Sequence, residues 1–423
     1  MMNQTVADGP AGRDHEAGKK PAGATAGALS PAVVLLFAVA CGLSVANIYF
    51  AQPLLDTMAQ DLAITPAVIG GVVTLTQIGY AFGLMLIVPL GDLWDRRRLI
   101  VGQTVLSALA LAVVGTAPNA AVLLAGMVLV GLLAVVIQVL VAYAATLAAP
   151  ADRGRTIGTV TSGVVSGILL ARFAAGALAD LGGWRAVYLT SAALTLVLAA
   201  LLARALPRHA PQPMTRSSYA KLLRSTVALF VEEPVLRERA VFALLIFASF
   251  SVFWSSVVLP LAAPPLSLSH TTIGMLGIAG LAGALAARNS GQLADRGWGQ
   301  RTTGLSLLLM LAGWVPIACL HTSLWLVLAG VLMIDFAVQA IHVTNQSLIV
   351  AARPEAASRL VGGYMVFYSI GTGFGAISST MAYAAAGWFG VCALGAAISA
   401  TALLFWVIVV SRTPAPVGAC SEA

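Results

Sequence analysis

The sequence predicts an all-α polytopic membrane protein in which twelve transmembrane helices form two pseudo-symmetric six-helix bundles. Of its 423 residues, 59% are apolar and only 9% are charged, whereas a water-soluble chain of this size needs far more charge to cover its surface. Twelve apolar runs are long enough to cross a bilayer as helices. A charged motif also recurs after about 200 residues, each time between two such runs, which indicates an internal repeat.

The first half of the chain consists of a polar tail and six apolar runs. Residues 1–28 are rich in glycine and alanine and predict a disordered cytoplasmic tail. Residues 29–206 predict the N-terminal six-helix bundle. Its spans are predicted at 31–56, 68–90, 99–116, 121–147, 157–178 and 184–206.

The longest polar interruption separates this bundle from a second one. Residues 207–239 predict a cytoplasmic linker, in which the apolar face of residues 217–231 is typical of an interfacial helix. Residues 240–412 predict the C-terminal six-helix bundle, and residues 413–423 predict a second cytoplasmic tail. The spans of the second bundle are predicted at 240–262, 271–288, 302–320, 323–350, 359–384 and 387–411.

The distribution of arginines predicts how the chain crosses the membrane. Basic residues lie in the loops after the second, fourth, sixth, eighth and tenth spans, whereas the opposite loops carry almost none apart from Arg185. Arginine-rich loops remain on the cytoplasmic side, so both termini are predicted to be cytoplasmic. Because these arginines set the orientation, the net charge of +7 does not indicate nucleic-acid binding.

Several kinds of chemistry find no support in the sequence. The four cysteines lack the spacing of a metal or redox site, and we expect no disulfide framework. The sequence contains no G-x-x-x-x-G-K-[ST] loop for nucleotide phosphates and no recognisable nucleophile–base pair or metal-ligand cluster. We therefore expect a protein that is not an enzyme and that uses no metal and no cofactor.

The recurring motif is a charged turn between two spans. Its first copy contains Gly91, Asp92, Asp95, Arg96 and Arg97, and its second copy contains Gly291, Asp295 and Arg296. Asp92 and Asp295 are related by an offset of 203 residues, and segments 150–155 and 354–359 by an offset of 204. Two related halves can rock about a central site, so this repeat predicts a transporter.

These motifs resemble the pattern G-x-L-x-D-R-x-G-R-R of the major facilitator superfamily, and the resemblance covers residues 30–412. The first copy differs from the family, because Leu93 stands in place of its arginine and Asp95 in place of its glycine. The resemblance implies that Asp92 pairs with the start of the eleventh span near Arg359 and holds the cytoplasmic side shut.

Two further segments narrow the resemblance. Residues 46–54 and 342–346 are similar to the bacterial drug or metabolite exporter branch of the superfamily. That branch implies a multi-pass protein of the bacterial cytoplasmic (inner) membrane that works as a monomer. The implied partners are a small-molecule substrate, protons and the lipid bilayer, without nucleic acid.

Polar side chains in the tenth span are the first candidates for the transport site, because such residues are costly inside a bilayer. Asp335, Gln339, His342 and Gln346 are spaced to share one helical face, and Asn345 lies beside them. A hydrogen-bond stripe that only packs helices is the alternative interpretation. An aspartate deep in a span can bind and release a proton, so Asp335 is predicted as a proton carrier. His342 is predicted as a carrier or a substrate contact.

Arg172 in the fifth span is the second unusual residue. A lone buried arginine needs a carboxylate, an anionic ligand or a water-filled cavity. It is predicted either to contact a substrate anion or to pair with Asp56 or Asp335. The other cavity candidates are polar or aromatic residues within spans, namely Gln138 (the repeat mate of His342), Asn47, Gln52, Gln77, Tyr80, Trp254, Tyr364 and Tyr368.

Three hypotheses of function remain open at this stage. The leading one is a secondary active transporter that works by alternating access, couples to protons and exports a drug-like or metabolite compound. The second is a proton-coupled uptake symporter for a small organic anion, which Arg172 would serve. The third is a non-transporting membrane sensor on the same fold. Secretion of a compound favours export, accumulation of a carboxylate favours uptake, and binding without response to a gradient favours the sensor.

Overall fold

A computed structural model describes residues 30–149, 152–207, 216–280, 293–353 and 356–412, and both predicted tails lie outside these ranges. Every regular element in this part of the chain is a helix, so the predicted all-α class is confirmed. The helices are α1 (Pro31–Tyr49), α2 (Leu55–Asp61), α3 (Gly71–Leu86), α4 (Arg96–Gly115), α5 (Ala120–Ala134), α6 (Val136–Leu147), α7 (Arg153–Ala205), α8 (Arg216–Glu232), α9 (Pro234–Ser256), α10 (Val258–Ala262), α11 (His270–Met275), α12 (Gly299–Ala318), α13 (Leu324–Ala352) and α14 (Ala357–Arg412). Short 3₁₀ turns lie at Gln52–Leu54, Val88–Asp92 and Leu276–Gly280, and a π turn lies at Ala294–Trp298.

Nine helical stretches within the described ranges are long and apolar enough to cross a membrane. Two of them, Arg153–Ala205 and Arg359–Ser411, have 53 residues each and contain two predicted spans apiece. The first breaks at Gly183, whose φ of 75° favours glycine, and the second breaks at Ala386–Gly387. Eleven of the twelve predicted spans are therefore accounted for, and the predicted eighth, 271–288, lies only partly within the described residues.

Three span boundaries differ from the predictions for local reasons. The first span is interrupted after Tyr49 by the turn that contains Pro53, and the fourth is interrupted at Val135. The seventh starts at Pro234, because proline suits the first turn of a helix. The linker predicted to reach residue 239 is therefore shorter, and Arg239 lies inside α9 with 3% of its surface exposed.

The predicted interfacial helix corresponds to α8. Its Leu229 is buried, and the ring of its Phe230 lies 5.3 Å from the ring of Phe367 on α14. Its Tyr219 donates a hydrogen bond to the carbonyl oxygen of Leu86 in the first half, over 2.8 Å. The helix thus contacts both halves of the chain.

The first charged turn joins helices of the N-terminal half. Asp95 accepts a hydrogen bond from the backbone N–H of Arg97 over 3.0 Å and caps α4. Arg96 donates to the carbonyl oxygen of Gly91 over 2.8 Å and to the hydroxyl of Thr146 on α6 over 3.1 Å. The Arg97 guanidinium donates to a backbone carbonyl near the end of α7. Asp95, which replaces the glycine of the family pattern, therefore serves as a helix cap.

The contact predicted between the charged turn and the eleventh span stays a prediction. Gly291 lies outside the described residues, as do the side chains of Asp92 and Asp295. Arg296 and Arg359 are both exposed.

The two halves of the chain meet mainly along two pairs of helices. α3 packs against α14, where the Thr74 hydroxyl donates to the Gly373 carbonyl oxygen over 2.7 Å. α7 packs against α11, where a Cβ on Gly176 would collide with the carbonyl oxygen of His270. We call the end of the molecule at which these contacts lie the sealed end. It contains the end of α2, the turn at Gly183 and the start of α11. The opposite end, with the charged turn, is called the basic end.

Replacing Gly176 by valine tests how closely the halves approach at the sealed end. The side chain of Gly176→Val would overlap the backbone of His270, so the two halves must separate there. We expect a cysteine introduced by Val258→Cys, at a position that is buried in this state, to react at least severalfold faster with a membrane-impermeant maleimide.

Gly158→Val is the matched control, because Gly158 lies on the same helix and faces open space. It carries the same cost of a β-branched residue in a helix without the collision. Equal labelling rates in the two variants would contradict a close approach of the halves at Gly176.

Candidate functional site

Arg172 is a buried cation at the boundary between the two halves. It lies on α7 with 2% of its surface exposed, and its Nε donates a hydrogen bond to Gln52 Oε1 over 2.9 Å. Its guanidinium carbon lies 3.8 Å from the centre of the Trp254 ring and 5.1 Å from that of the Tyr49 ring, which is cation–π geometry. Its Nη2 has no hydrogen-bond partner among the described residues. The guanidinium therefore keeps a donor that a ligand can use.

Asp335 is a buried carboxylate on the other half. It lies on α13 with 4% of its surface exposed, and its Oδ1 accepts a hydrogen bond from Trp254 Nε1 over 3.2 Å. Trp254 therefore contacts both buried charges, Arg172 through its ring and Asp335 through its N–H. We call Arg172, Trp254 and Asp335 the central site.

The predicted ion pair between Arg172 and Asp335 or Asp56 is not formed in this state. Within the described part of the chain, no carboxylate oxygen lies within 4.0 Å of the Arg172 guanidinium. Asp56 instead contacts His270 over 3.1 Å. Arg172 and Asp335 still attract each other electrostatically, but neither is neutralised by direct contact, so each can bind a partner of its own.

A glycine-containing turn of the eighth span lies against both charges. A Cβ on Gly277 would lie 3.1 Å from Cβ of Arg172, and a Cβ on Gly280 would lie 3.2 Å from Asp335 Oδ2. Side chains at these two positions would therefore press on the central site. Neither residue was predicted from the sequence, in which their G-x-x-G spacing within a span was the available signal.

Aromatic side chains from both halves surround the central site. The hydroxyl oxygens of Tyr49 and Tyr368 lie 2.6 Å apart across the interface, and the Phe247 ring lies 4.1 Å from the Tyr368 ring. Phe250 adds a second phenylalanine, 5.7 Å from the Arg172 guanidinium carbon. The predicted candidates Tyr368 and Trp254 thus lie at this site, whereas neither phenylalanine was predicted.

His342 belongs to a neighbouring polar group. Its Nδ1 lies 2.9 Å from the Tyr364 hydroxyl, and its Nε2 lies 3.1 Å from Gln346 Nε2. The Phe247 ring packs edge-on against the imidazole at 5.1 Å, so one phenylalanine contacts both His342 and Tyr368. Three predicted candidates are therefore brought together next to the central site.

Asn345 and Gln339 of the same span are placed differently. Asn345 is buried, and its Oδ1 accepts a hydrogen bond from Arg239 over 3.4 Å. Arg239, which the sequence analysis did not select, forms an ion pair with Glu238 over 2.7 Å. Gln339 is half-buried on α13. Asn345 therefore contributes to packing within the C-terminal half.

The candidates of the N-terminal half form pairs within that half. Gln138 Nε2 donates to the Tyr80 hydroxyl over 3.4 Å. The Ser191 hydroxyl donates to Asn47 Oδ1 over 2.6 Å, so Asn47 joins two helices of one bundle. Gln77 is buried, and its Oε1 has no partner in the described structure. Only Gln52 of the predicted amides contacts Arg172.

Two helical halves that meet around buried charges are typical of transporters that work by alternating access. Residues 34–315 match the sequence profile described as Major Facilitator Superfamily, and the chain belongs to this superfamily. It is 45% identical over 378 residues to YgaY of Escherichia coli, which is named as an uncharacterized transporter, across 89% of this chain and 95% of YgaY. It is 32% identical over 394 residues to the transporter SCO4007 of Streptomyces coelicolor, across 92% of this chain and 89% of that one. The protein is therefore a multi-pass membrane transporter.

Solved structures share its fold. A bacterial homologue of the human lysosomal transporter Spinster, in an inward-facing conformation, aligns with a TM-score of 0.71 and 16% identity over 90% of this chain and 95% of its own. The human organic anion transporter MFSD10 aligns with a TM-score of 0.61 and 18% identity over 88% of this chain and 98% of its own. At these identities the likeness concerns the fold alone.

Two substitutions of Trp254 separate its contacts to the two charges. Trp254→Phe keeps an aromatic face for Arg172 but removes the N–H donor to Asp335, whereas Trp254→Leu removes both. A cation–π contact is worth about 0.5–2 kcal/mol. We therefore expect the apparent melting temperature in detergent to fall from the native protein to Trp254→Phe and further to Trp254→Leu.

The same pair of substitutions at Trp388 is the control for side-chain size. Trp388 is buried and its N–H donates to a backbone carbonyl oxygen over 3.0 Å. The further fall in melting temperature from the Phe variant to the Leu variant should be larger at Trp254 than at Trp388. Of these two tryptophans, Trp254 is the one that covers a cation. Equal steps at both positions would contradict a stabilising role of the ring over Arg172.

Proposed function

We propose that the protein is a proton-coupled secondary transporter that works by alternating access and exports a small organic compound, with Asp335 as the proton carrier. The observation that carries this proposal is the double contact of Trp254, which binds buried Asp335 through its N–H and covers buried Arg172 with its ring. A carboxylate inside a span costs free energy, so its presence there indicates a function. A carboxylate between two moving halves can take a proton from one side and release it on the other.

The charges at the central site support a competition between proton and substrate. When Asp335 is ionised, its charge balances that of Arg172 and it accepts the Trp254 N–H. A proton or a cationic group of a substrate can neutralise the same carboxylate, but both cannot do so together. Binding of one therefore displaces the other, which couples export of the compound to entry of protons.

Uptake of a small organic anion is the second candidate. Arg172 is buried and its Nη2 has no partner among the described residues, and a guanidinium is well suited to binding a carboxylate. An anion at Arg172 would add negative charge near Asp335 and favour its protonation. Anion and proton would then bind together, which is the coupling of a symporter, and His342 remains a candidate for a second carrier.

The orientation follows from the arginine-rich loops. These loops remain in the cytoplasm, so the basic end and both termini are proposed to face the cytoplasm of a bacterium, and the protein is proposed to lie in its inner membrane as a monomer. The sealed end then faces the periplasm. In the opposite state, Asp92 is proposed to meet the start of the eleventh span near Arg359 and to close the cytoplasmic side.

Reconstituted protein allows a direct test of the coupling. Proton movement into liposomes is measured while carboxylates and lipophilic cations are added one at a time. Export predicts proton movement opposite to a cationic compound, whereas the uptake candidate predicts proton movement together with a carboxylate. Absence of proton movement with a compound that is transported would contradict proton coupling in either direction.

Asp335→Asn should separate exchange from coupling. Asparagine keeps an oxygen that can accept the Trp254 N–H but cannot take up a proton. We expect compound-driven proton movement to fall at least tenfold, while exchange of the same compound between the two sides without a gradient is retained. Asp152→Asn, at an exposed carboxylate at the start of α7, is the control and should transport normally. Native proton movement in Asp335→Asn would contradict its role as carrier.

Arg172→Gln and Arg172→Lys test the second candidate. Glutamine removes the charge that would bind an anion, whereas lysine keeps the charge but loses the planar donor pair. We expect Arg172→Gln to lower carboxylate transport at least tenfold and Arg172→Lys to lower it less, with lipophilic cations transported by both. Equal losses for carboxylates and cations would contradict anion recognition by Arg172.

A further inference from the structure

A histidine at the sealed end bridges two carboxylates across the boundary between the halves. His270 begins α11 in the C-terminal half, and its Nε2 lies 3.1 Å from Asp56 Oδ1. Its Nδ1 lies 3.3 Å from Asp180 Oδ1, and both carboxylates belong to the N-terminal half. The three side chains are 17, 10 and 29% exposed in the order His270, Asp56 and Asp180. Asp56 was predicted as a possible partner of Arg172, and neither His270 nor Asp180 was selected from the sequence.

The two carboxylates differ in how firmly the backbone holds them. Asp180 accepts hydrogen bonds from the backbone N–H groups of His270, over 3.1 Å, and Thr271, over 2.8 Å, and also from the Thr271 hydroxyl. Its position is therefore fixed whichever charge the imidazole carries. Asp56 contacts the imidazole itself, so the strength of this contact depends on whether the imidazole is protonated. A neutral imidazole has one N–H, and only the imidazolium can donate to both carboxylates at once.

The other charges around His270 belong to one half. An open cleft of about 510 Å³ at the sealed end is lined by His270, Asp61 and Arg185. Arg185 forms an ion pair with Asp61, and the Trp184 N–H donates to the same carboxylate over 3.0 Å. Asp61 and Arg185 both lie in the N-terminal half, so their pairing does not join the halves. The cleft gives His270 contact with water and protons.

Closure of the halves and protonation of His270 support each other. The hydrogen bond to Asp56, helped by the charges of Asp56 and Asp180, raises the pKa of His270 above its ordinary value of 6.5, although burial opposes this. Both carboxylates move away with the N-terminal half when the halves part, so the pKa returns toward its ordinary value. Closure is therefore fully stabilised below about pH 6.5, and it loses this stabilisation as the pH rises through the raised pKa of His270.

We propose that His270 is a second proton-binding residue of the transport cycle, which binds a proton when the two halves close at the sealed end and releases it when they part. This inference rests on the proposed alternating-access function. It assigns to His270 a proton that is separate from the one carried by Asp335. The site needs no substrate, because its proton affinity is set by contact between the halves.

The test measures closure at the sealed end in the full chain without substrate. Spin labels are attached through Leu181→Cys in the N-terminal half and Thr322→Cys in the C-terminal half, both at exposed positions. The background carries Cys319→Ser and Cys420→Ser. The distance between the labels is measured in lipid nanodiscs by pulsed electron resonance across a pH series that extends on both sides of 6.5.

The native protein should show a short distance at acidic pH and a growing population at longer distance as the pH rises. His270→Gln should lose this pH dependence and favour the longer distance, whereas His270→Arg should keep the shorter distance at every pH. Asp56→Asn removes one partner charge and should move the transition to lower pH. A native pH profile in His270→Gln would overturn the assignment.

Asp335→Asn distinguishes this proton from that of the proposed carrier. It should keep the pH-dependent distance, because Asp335 does not contact His270. Loss of the pH dependence in Asp335→Asn together with its retention in His270→Gln would assign the proton to Asp335 and overturn the inference. The two proposals can also fail separately. If no transported compound drives proton movement, but the distance between the labels still depends on pH and on His270, the proposed coupling is refuted and the proton at His270 is retained.

Discussion

The central constraint on this transporter is the burial of two opposite charges at the boundary between its halves. Removing an ion from water costs several kcal/mol, and neither Arg172 nor Asp335 recovers this cost through a direct ion pair. Trp254 and Gln52 supply partial compensation. Because Trp254 belongs to the C-terminal half and Arg172 to the other, the cation–π contact between them exists only while the halves are in contact there. A second state must replace it by water, a proton or a substrate, and that requirement links movement to binding.

One face of α7 connects the central site to the sealed end. Arg172, Gly176 and Asp180 are four residues apart, so they lie along one side of the helix. Against α11 and the turn after it, they present in order the backbone and stem of Arg172, the close approach at Gly176 and the carboxylate that holds the start of α11. The sealed end and the central site are therefore both lined by one face of α7.

Hydrophobic periodicity predicted the spans well, but it could not predict which helices face each other. The break of α7 at Gly183 lies between the spans predicted at 157–178 and 184–206, since the apolar runs and the turn between them are local features. Asn47 and Asn345 were chosen as cavity residues for their polarity, yet they bond within their own halves. Arg239 was assigned to the linker, although the span starts earlier at Pro234. His270 was missed because its partners lie far away in the chain, and only the contact between the halves brings them together.

Infrared difference spectroscopy of the carboxyl group of Asp335 tests the central claim most directly. The native protein is compared with Asp335→Asn at neutral pH, before and after addition of a compound that is transported. We predict a change in the protonated carboxyl band that is absent in the variant. A cationic compound should remove the proton from Asp335, and a carboxylate should add one. An unchanged band on binding would contradict the coupling of Asp335 to the substrate through the central site.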